Sequence, residues 1–389
     1  MSENGRASDG DPLLSVRGLK TYFDTDGGVV RAVDGVSFDV ERGETVCVVG
    51  ESGSGKTVAC ESVTKLIDMP PGRIAGGEVR FDGEDLTAAS EKRLKQIRGG
   101  RIGHGFQTPQ GALNPVYTVG DQIVEAIRLH SDRSKKAARD RAVELLDRVG
   151  IPEAASRADE YPHEFSGGMK QRVVIAMALA GDPDLLIADE PTTALDVTIQ
   201  AQILRLFEDL QEEFGMSIVF VTHDLGVVAQ IADRVVVMYA GKVMERGDVF
   251  ELFEDAAHPY TQALLRCLPG RGDVSEAIGG SLPDPTNPPG GCRFHPRCPH
   301  AVRDCEAGDQ PPMAAVDDPS DDGGGDTDDG VHRASCVYYQ TGYNTDTVRE
   351  SAPGTTSEAS APGTAESDGG ARSGGTRATS GEPDGGESR

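Results

Sequence analysis

Residues 50–57 read GESGSGKT and match the pattern G-x-x-x-x-G-K-[ST] of a phosphate-binding loop. The apolar run from Thr45 to Val49 directly precedes the loop and predicts a strand buried on both faces, and the segment from Lys56 to Ile67 predicts a helix after it. A glycine-rich turn between a strand and a helix N-terminus directs backbone N–H groups toward a polyphosphate. We therefore predict a layered α/β domain that binds nucleotide at this turn.

Each residue type in this loop answers a chemical need of a polyphosphate. The glycines let the backbone turn inward, Lys56 is placed to reach the β and γ phosphates of ATP, and the Thr57 hydroxyl is placed to bind Mg²⁺. A flexible glycine and serine turn is the alternative in a chain with 49 glycines, but the flanking strand and helix disfavour it. The predicted nucleotide-binding residues are Gly50, Ser52, Gly53, Ser54, Gly55, Lys56 and Thr57.

A second predicted strand ends in two carboxylates. Residues 185–190 read LLIADE, so Asp189 stands at the carboxyl edge of the predicted sheet, where a Mg²⁺ ligand is needed. Glu190 is then placed to reach an attacking water. Alone, the two acids would also suit a buried strand that ends in solvated side chains. Together with the phosphate-binding loop they predict ATP hydrolysis.

The rest of the domain shows the same alternation of short apolar runs and helix-period segments, which favours a mainly parallel sheet covered by helices. Residues 77–86 read GEVRFDGEDL and predict a hairpin around Asp82-Gly83, hence a smaller antiparallel sheet beside the main one. Further predicted strands are Ser217 to Val221 and Arg234 to Tyr239. Further predicted helices are Val119 to Leu129, Lys135 to Val149, Met169 to Ala180, Val197 to Phe214 and His258 to Leu268.

The overall charge argues against some classes of partner. The 389 residues include 64 Asp plus Glu against 38 Lys plus Arg, a formal net charge of −26. Such a surface repels phosphate backbones, so no nucleic-acid partner is expected, and it indicates adaptation to a very salty cytoplasm. Neither a signal-peptide segment nor an apolar run of roughly 18 residues is found, so we expect a soluble chain inside the cell.

The stretch FSGGMKQR, which starts at Phe165, resembles the signature of ABC ATPases, usually written LSGGQ. It has Phe for Leu and Met for Gln, whereas Ser166, Gly167 and Gly168 are kept. In physical terms, Ser166 is placed to cap a helix whose dipole points at an anion, and the glycines permit close approach. A capped structural helix is the alternative for this motif taken alone.

The resemblance implies roles for other residues in the expected order along the chain. Gln107 looks like the glutamine that senses Mg²⁺ and contacts the membrane partner, and Asp196 ends an ALD stretch that resembles the D-loop. His223 looks like the switch histidine that holds the γ phosphate. Phe23 lies where the family places an aromatic that stacks on adenine, with Tyr22 as the neighbouring alternative; an aromatic on an early strand otherwise belongs to the core.

In this family the loop of one subunit faces the signature of another, so ATP is buried between two chains and its binding closes the dimer. The resemblance implies a fold with a mainly parallel sheet, a small antiparallel subdomain and a helical signature subdomain. It makes Glu190 and His223 the catalytic residues and Thr57, Gln107 and Asp189 the Mg²⁺ ligands. Separate permeases must supply the membrane pore, which places this chain peripherally on the cytoplasmic side of the membrane.

Three further stretches are similar to the ATPase subunits of dipeptide and oligopeptide importers: Asn114-Pro115, HPYTQALL at 258–265 and CRFHPRCP at 292–299. Such importers pair two different ATPase chains with two transmembrane permeases and an external substrate-binding protein. Nickel and sugar importers belong to the same group, so these motifs leave the cargo open. A soluble ABC ATPase with a metal-sensing regulatory role is the alternative from a different class.

Four of the seven cysteines lie near the carboxyl end with the spacing C-x₅-C-x₆-C-x₃₀-C: Cys292, Cys298, Cys305 and Cys336. Four thiolates suit an iron–sulfur cluster or zinc. The resemblance to peptide importers ranks a [4Fe–4S] cluster first and zinc second, with free thiols as the third alternative. Cys47, Cys60 and Cys267 lie in apolar contexts and are predicted to be small core residues.

Composition divides the chain into four parts. We expect a disordered N-terminus at 1–12 and the ATPase domain at 13–268. A small irregular cysteine-containing module at 269–340 follows, with an acidic insertion near 317–330. The last part, 341–389, is an acidic tail that is rich in Ser, Thr, Gly, Pro and Glu after about Thr345, and it is predicted to be disordered.

Overall fold

The computed structural model describes residues 11–105, 109–193, 195–268, 278–318 and 330–349. The chain divides after Gly354 into two compact units, and every described residue belongs to the first. Several predictions fall outside the described residues: residues 1–10 of the N-terminus, Gln107, Ala194 of the D-loop stretch, residues 319–329 of the acidic insertion, and the tail from residue 350 onward.

The strands, in chain order, are β1 (Leu14–Thr25), β2 (Gly28–Val40), β3 (Thr45–Val49), β4 (Gly72–Phe81), β5 (Glu84–Asp85), β6 (Ile102–Gly105), β7 (Leu185–Asp189), β8 (Ser217–Thr222), β9 (Arg234–Tyr239), β10 (Lys242–Asp248), β11 (Ala314–Ala315) and β12 (Arg333–Ala334). The helices are α1 (Lys56–Val63), α2 (Glu91–Ile97), α3 (Pro109–Ala112), α4 (Val119–His130), α5 (Lys135–Arg148), α6 (Ala154–Arg157), α7 (Gly167–Ala178), α8 (Val197–Phe214), α9 (Leu225–Ile231), α10 (Val249–Glu254), α11 (Pro259–Arg266) and α12 (Asp346–Arg349).

The main sheet has eight strands in the order β11-β12-β10-β9-β3-β8-β7-β6. From β9 to β6 the pairs are parallel, and the β10, β12 and β11 edge is antiparallel. Because β3, β8, β7 and β6 run in one direction, their carboxyl ends lie at one edge of the sheet. The phosphate-binding loop follows β3, Asp189 is the last residue of β7, and His223 follows β8, so all three lie at this edge.

Strand β3 shows why a central strand reads as a continuous apolar run. Val46 and Val48 pack into the core on one side of the sheet, and Cys47 and Val49 pack into the core on the other. Alternate side chains of a strand point to opposite faces, so a strand covered on both faces needs apolar residues at every position. The prediction that Cys47 is a core residue is confirmed.

A second, antiparallel sheet has the order β2-β1-β4-β5 and contributes to the core that includes Val46 and Val48. The predicted hairpin joins β4 to β5, and both turn residues have positive φ, 50° at Asp82 and 78° at Gly83. Helices α4 and α5 pack on each other and on α7, which places the predicted signature at the start of a helical subdomain. The predicted three-part fold is confirmed.

The carboxyl-terminal part corrects three expectations. The cysteine-containing module predicted at 269–340, called the cysteine segment below, is not wholly irregular. Its strand β12 pairs with β10, and β11 pairs with β12, so the two strands extend the main sheet. The tail predicted to be disordered from residue 341 is folded as far as Arg349, since α12 buries Val348 completely. Cys267, predicted to be in the core, is exposed, because it is the C-cap of α11 and lies beyond its buried face.

Candidate active site

The phosphate-binding loop has a backbone that its glycines make possible. Gly50 has a φ of 150°, and a Cβ there would lie 2.1 Å from the carbonyl oxygen of Met238. Gly55 is the N-cap of α1 with a φ of 101°, and a Cβ there would lie 2.3 Å from the carbonyl oxygen of Ala32. Both neighbours are backbone atoms that cannot move aside, so the loop shape requires glycine at both positions.

Lys56 spans this loop from the first turn of α1. Its side chain is almost fully buried, and Nζ donates to the carbonyl oxygens of Gly50 at 2.8 Å and Glu51 at 3.0 Å. Burial lowers the pKa of the Lys56 ammonium, and the nearby carboxylates of Glu190 and Asp189 oppose that shift. A positive charge is thus held at the mouth of the loop, where it can contact the end of a polyphosphate.

Asp189 and Thr57, two of the predicted Mg²⁺ ligands, contact each other. The Thr57 hydroxyl bonds to the Asp189 carboxylate, and Asp189 Oδ1 is buried without a hydrogen-bond donor among the described residues. Burial raises the pKa of Asp189, and the negative charge of Glu190 raises it further. A buried carboxylate oxygen beside a hydroxyl suits a hard cation that prefers oxygen ligands, so these residues fit Mg²⁺.

Glu190 is fixed next to Asp189 by two side chains. Its Oε1 lies 3.2 Å from His223 Nδ1, and its Oε2 accepts from the Thr193 hydroxyl at 2.9 Å. The Glu190 backbone has a φ of 45°, and its N–H donates to the carbonyl oxygen of Val221 on the neighbouring strand. The unusual backbone directs the carboxylate away from the strand line and toward His223. The predicted catalytic pair, Glu190 and His223, is therefore adjacent.

Two contacts around this pair were not predicted. Thr193 orients Glu190, and Gln200 on α8 donates to Asp224 Oδ2 at 3.1 Å. Asp224 also caps α9 by accepting from the Gly226 N–H. Asp196, predicted to belong to a D-loop, caps α8 by accepting from the Ile199 N–H at 3.0 Å. Helix α8 therefore connects Asp196 to the segment that carries His223.

The signature residues lie at an exposed helix end. Ser166 caps α7 by accepting from the Met169 N–H at 3.4 Å. A Cβ on Gly168 would lie 2.8 Å from Ile199 Cγ2, so glycine lets α7 approach α8. A Cβ on Gly167 would meet nothing within 4 Å. The packing of this chain therefore explains glycine at 168 but not at 167.

The two candidate adenine-stacking aromatics have different surroundings. The Tyr22 hydroxyl donates to Asp34 Oδ1 at 2.5 Å, and the Arg73 guanidinium lies 5.4 Å from the Tyr22 ring centre. Burial, together with this hydrogen bond, raises the pKa of Tyr22 to about 12. The Phe23 ring lies against Gly72, where a Cβ would come within 2.9 Å of it. These contacts do not test adenine stacking, so the assignment of Phe23 stays a prediction.

The four late cysteines lie near one another. Burial raises the pKa of the Cys292 thiol to about 11 and that of Cys298 to about 12, and neighbouring thiols add to both shifts. Burial raises the pKa of the Cys336 thiol, and the other three thiols, including Cys305, raise it further. Backbone N–H groups donate to the sulfur atoms of Cys292, Cys298 and Cys336. Within the described ranges, however, no three His, Cys, Asp or Glu side chains are placed as a metal ion requires.

Two family models match this chain. Residues 33–193 match the ABC transporter model, and residues 244–305 match the model for the oligopeptide/dipeptide transporter C-terminal region. The first match includes the phosphate-binding loop, the signature and Glu190. The second ends at Cys305 and so includes three of the four late cysteines.

The chain is similar to named relatives over most of its length. It is 54% identical over 310 residues to the oligopeptide transport ATP-binding protein OppD of Bacillus subtilis, a match covering 79% of this chain and 86% of OppD. The ATP-binding cassette MJ0796, solved as a dimer in a post-hydrolysis state with ADP and phosphate, superposes with a TM-score of 0.55 at 29% identity, covering 61% of this chain and 99% of the cassette. The structure of cbiO1 from Clostridium perfringens, part of the ABC transporter complex cbiONQ, gives a TM-score of 0.54 at 29% identity, covering 62% and 91%.

Proposed function

Since the chain belongs to the family of ABC transporter ATP-binding proteins with an oligopeptide/dipeptide transporter C-terminal region, we propose that it powers the import of peptides by hydrolysing ATP. The observation that carries the proposal is the meeting of Lys56, Thr57, Asp189, Glu190 and His223 at one edge of the sheet. The name of the 54% identical relative, an oligopeptide transport protein, supports peptides as cargo.

The residues divide the work of phosphoryl transfer. Backbone N–H groups of the loop and Lys56 bind the polyphosphate, and Glu190 orients the attacking water. His223, which is hydrogen-bonded to Glu190, would contact the γ phosphate and stabilise the charge that develops on it. Thr57 and Asp189 would hold Mg²⁺, which would supply positive charge to offset the negative charge of the phosphates. Gln107 completes this proposed site.

A composite site shared by two chains accounts for the exposed signature. Ser166 and Gly167 are exposed to solvent, and a Cβ at Gly167 would meet no atom within 4 Å. Contacts within this chain therefore do not require glycine at 167. A nucleotide held by a second chain could approach this helix end closely. The similarity to a cassette solved as a dimer with ADP and phosphate supports the same arrangement. We propose a different ATPase chain as the partner.

The proposal includes two permeases and an external binding protein as partners in the importer. In the part of the chain that the structure describes, no helix combines the length and apolar character needed to cross a bilayer. In the proposed importer the permeases form the pore, and this chain binds peripherally on the cytoplasmic side. Nickel or sugar cargo is the alternative within the family.

Two measurements test this function. ATPase activity of the purified chain should fall on dilution and rise several-fold when the partner ATPase and permeases are added, because each site needs residues from two chains. Specific activity that is unchanged by dilution would contradict the shared site. Vesicles reconstituted with the importer should accumulate labelled dipeptide or oligopeptide when ATP is supplied on the side of the membrane where this chain is bound. Uptake of nickel or sugar instead would contradict the proposal that the cargo is a peptide.

We further propose that Cys292, Cys298, Cys305 and Cys336 bind a [4Fe–4S] cluster, with zinc as the alternative. The proximity of the thiols and the N–H donors to their sulfur atoms support this, since such donors stabilise thiolates. The proposal requires the sulfur atoms to move together on binding. Anaerobically purified protein should contain about four irons per chain. A preparation with neither iron nor zinc would leave these residues as free thiols.

A further inference from the structure

The cysteine segment contacts the phosphate-binding loop directly. Arg297 stands between Cys292 and Cys298, and its Nη1 donates to Glu51, the second residue of the loop, at 3.0 Å to Oε1 and 3.1 Å to Oε2. The Arg297 side chain is 7% exposed and that of Glu51 is 27% exposed. The pair is therefore largely shielded from water and ions, unlike an ordinary surface ion pair.

Arg297 is held rigidly in this position. Its guanidinium also donates to the carbonyl oxygens of Gly279 at 2.7 Å and Ile278 at 3.1 Å, and to the Tyr239 hydroxyl at 3.2 Å. It lies 5.6 Å from the Tyr239 ring centre and 6.0 Å from the Phe294 ring centre. A guanidinium fixed on several sides needs little ordering to hold a carboxylate, so the contact with Glu51 is preorganised.

The backbone of Glu51 is held as well. Its N–H donates to the Tyr260 hydroxyl at 2.9 Å, and its carbonyl oxygen accepts from Lys56 at 3.0 Å. The Tyr260 ring packs edge-on against Tyr239, with ring centres 4.7 Å apart. Tyr260 and Arg297, which lie more than 200 residues after the loop in sequence, thus fix its second residue. A change in the cysteine segment would reach Glu51 through Arg297.

A carboxylate in a phosphate-binding loop needs a counter-charge. The loop must attract a polyanion, and an unpaired Glu51 would repel it and pull the loop out of shape. We propose that Arg297 is a positioning residue for ATP binding, which neutralises and holds Glu51 so that the loop binds nucleotide fully only when the cysteine segment is folded against it. This inference rests on the proposed function only in that the loop binds ATP.

The test is a double-mutant cycle on the full chain, with MgATP affinity measured by fluorescence titration at low salt. Arg297→Gln should weaken ATP binding about tenfold, because Glu51 loses its counter-charge. Glu51→Gln should bind ATP at least as tightly as the wild type, and the double variant should recover to within about twofold of it. Arg303→Gln, an exposed arginine in the same segment, is the matched control and should change nothing.

The outcomes separate this inference from the proposed function. If the wild-type chain fails to bind ATP, the proposed function is wrong. If the wild type binds ATP and Arg297→Gln binds it with the same affinity, only the positioning role is wrong. Equal weakening in Arg297→Gln and in the double variant would show a structural role without charge compensation, and would also overturn the inference. If Arg297→Gln does not fold, Glu51→Gln decides alone: weaker ATP binding by that variant contradicts the proposal.

Discussion

A buried ion pair joins β10 to the carboxyl-terminal segment, and its loss has a pH signature. Glu245 is fully buried and accepts from the N–H groups of Ala257 at 2.7 Å and His258 at 2.8 Å, and from His332 Nε2 at 2.8 Å. Burial alone would raise the pKa of Glu245, but these donors hold it below its usual range. Burial alone would lower the pKa of His332, but Glu245 raises it above its usual value.

We predict that His332→Gln destabilises the protein most near pH 6. The folded-state pKa of His332 is raised, so its contribution is fully present below the unfolded value of about 6.5 and disappears as the pH rises through the folded value. A hydrogen bond to a buried charge is worth about 2–3 kcal/mol, and the two backbone donors that remain on Glu245 keep the cost from being larger. The melting temperature should fall by roughly 3–6 °C.

The assay is a melting curve at several pH values for wild type and variant. The difference in melting temperature should shrink as the pH rises through the raised folded-state pKa of His332, because the wild-type imidazole loses its proton there. Because the pKa of Glu245 is depressed, its carboxylate stays charged through this window. His163→Gln, at an exposed histidine, is the control and should have little effect at any pH. An equal loss at pH values below and well above the raised pKa of His332 would refute the charged-pair reasoning.

Three other predictions follow from the fold. Gly50→Ala should abolish ATP binding measured by titration, because its Cβ would meet the Met238 carbonyl oxygen at 2.1 Å; normal binding would contradict the loop geometry. Truncation after Arg349 should leave the ATPase activity and the melting temperature unchanged. Truncation after Thr345 should lower the melting temperature, because it removes buried Val348 and the ion pair between Arg349 and Asp255. Equal effects of the two truncations would show that α12 does not stabilise the fold. Raising the KCl concentration from about 0.2 M to about 3 M should raise the melting temperature, because salt screens the repulsion between like charges in a chain of net charge −26. A lower melting temperature at about 3 M would count against adaptation to high salt.

The sequence predicted best where one local signal dominates. The bounds of β3 and β9 and of α8 agree with the structure, because each is an apolar or periodic run that ends at a clear stop. Other ends shifted: α1 ends at Val63 rather than Ile67, and α7 begins at Gly167, where the Ser166 cap places it, rather than at Met169.

The rest depends on contacts between distant segments. Strands β11 and β12 have two residues each, too few for any periodicity, and exist only through pairing with β10. The Arg297 contact with Glu51 joins residues 246 positions apart, so no local pattern marks it. Thr193 follows Glu190 within one turn and could have been considered, because short hydroxyl side chains often bond to a nearby acceptor.

The most direct test of the central claim is the turnover of Glu190→Gln in the assembled importer. Because this change keeps the shape of the site but removes the charge that orients water, we expect unchanged ATP binding and a turnover reduced roughly hundredfold or more. ATP should then hold the two ATPase chains together in a closed dimer, seen as a complex in size-exclusion chromatography. Lys56→Ala should instead weaken ATP binding and give no such complex. Turnover of Glu190→Gln near that of the wild type would contradict the account.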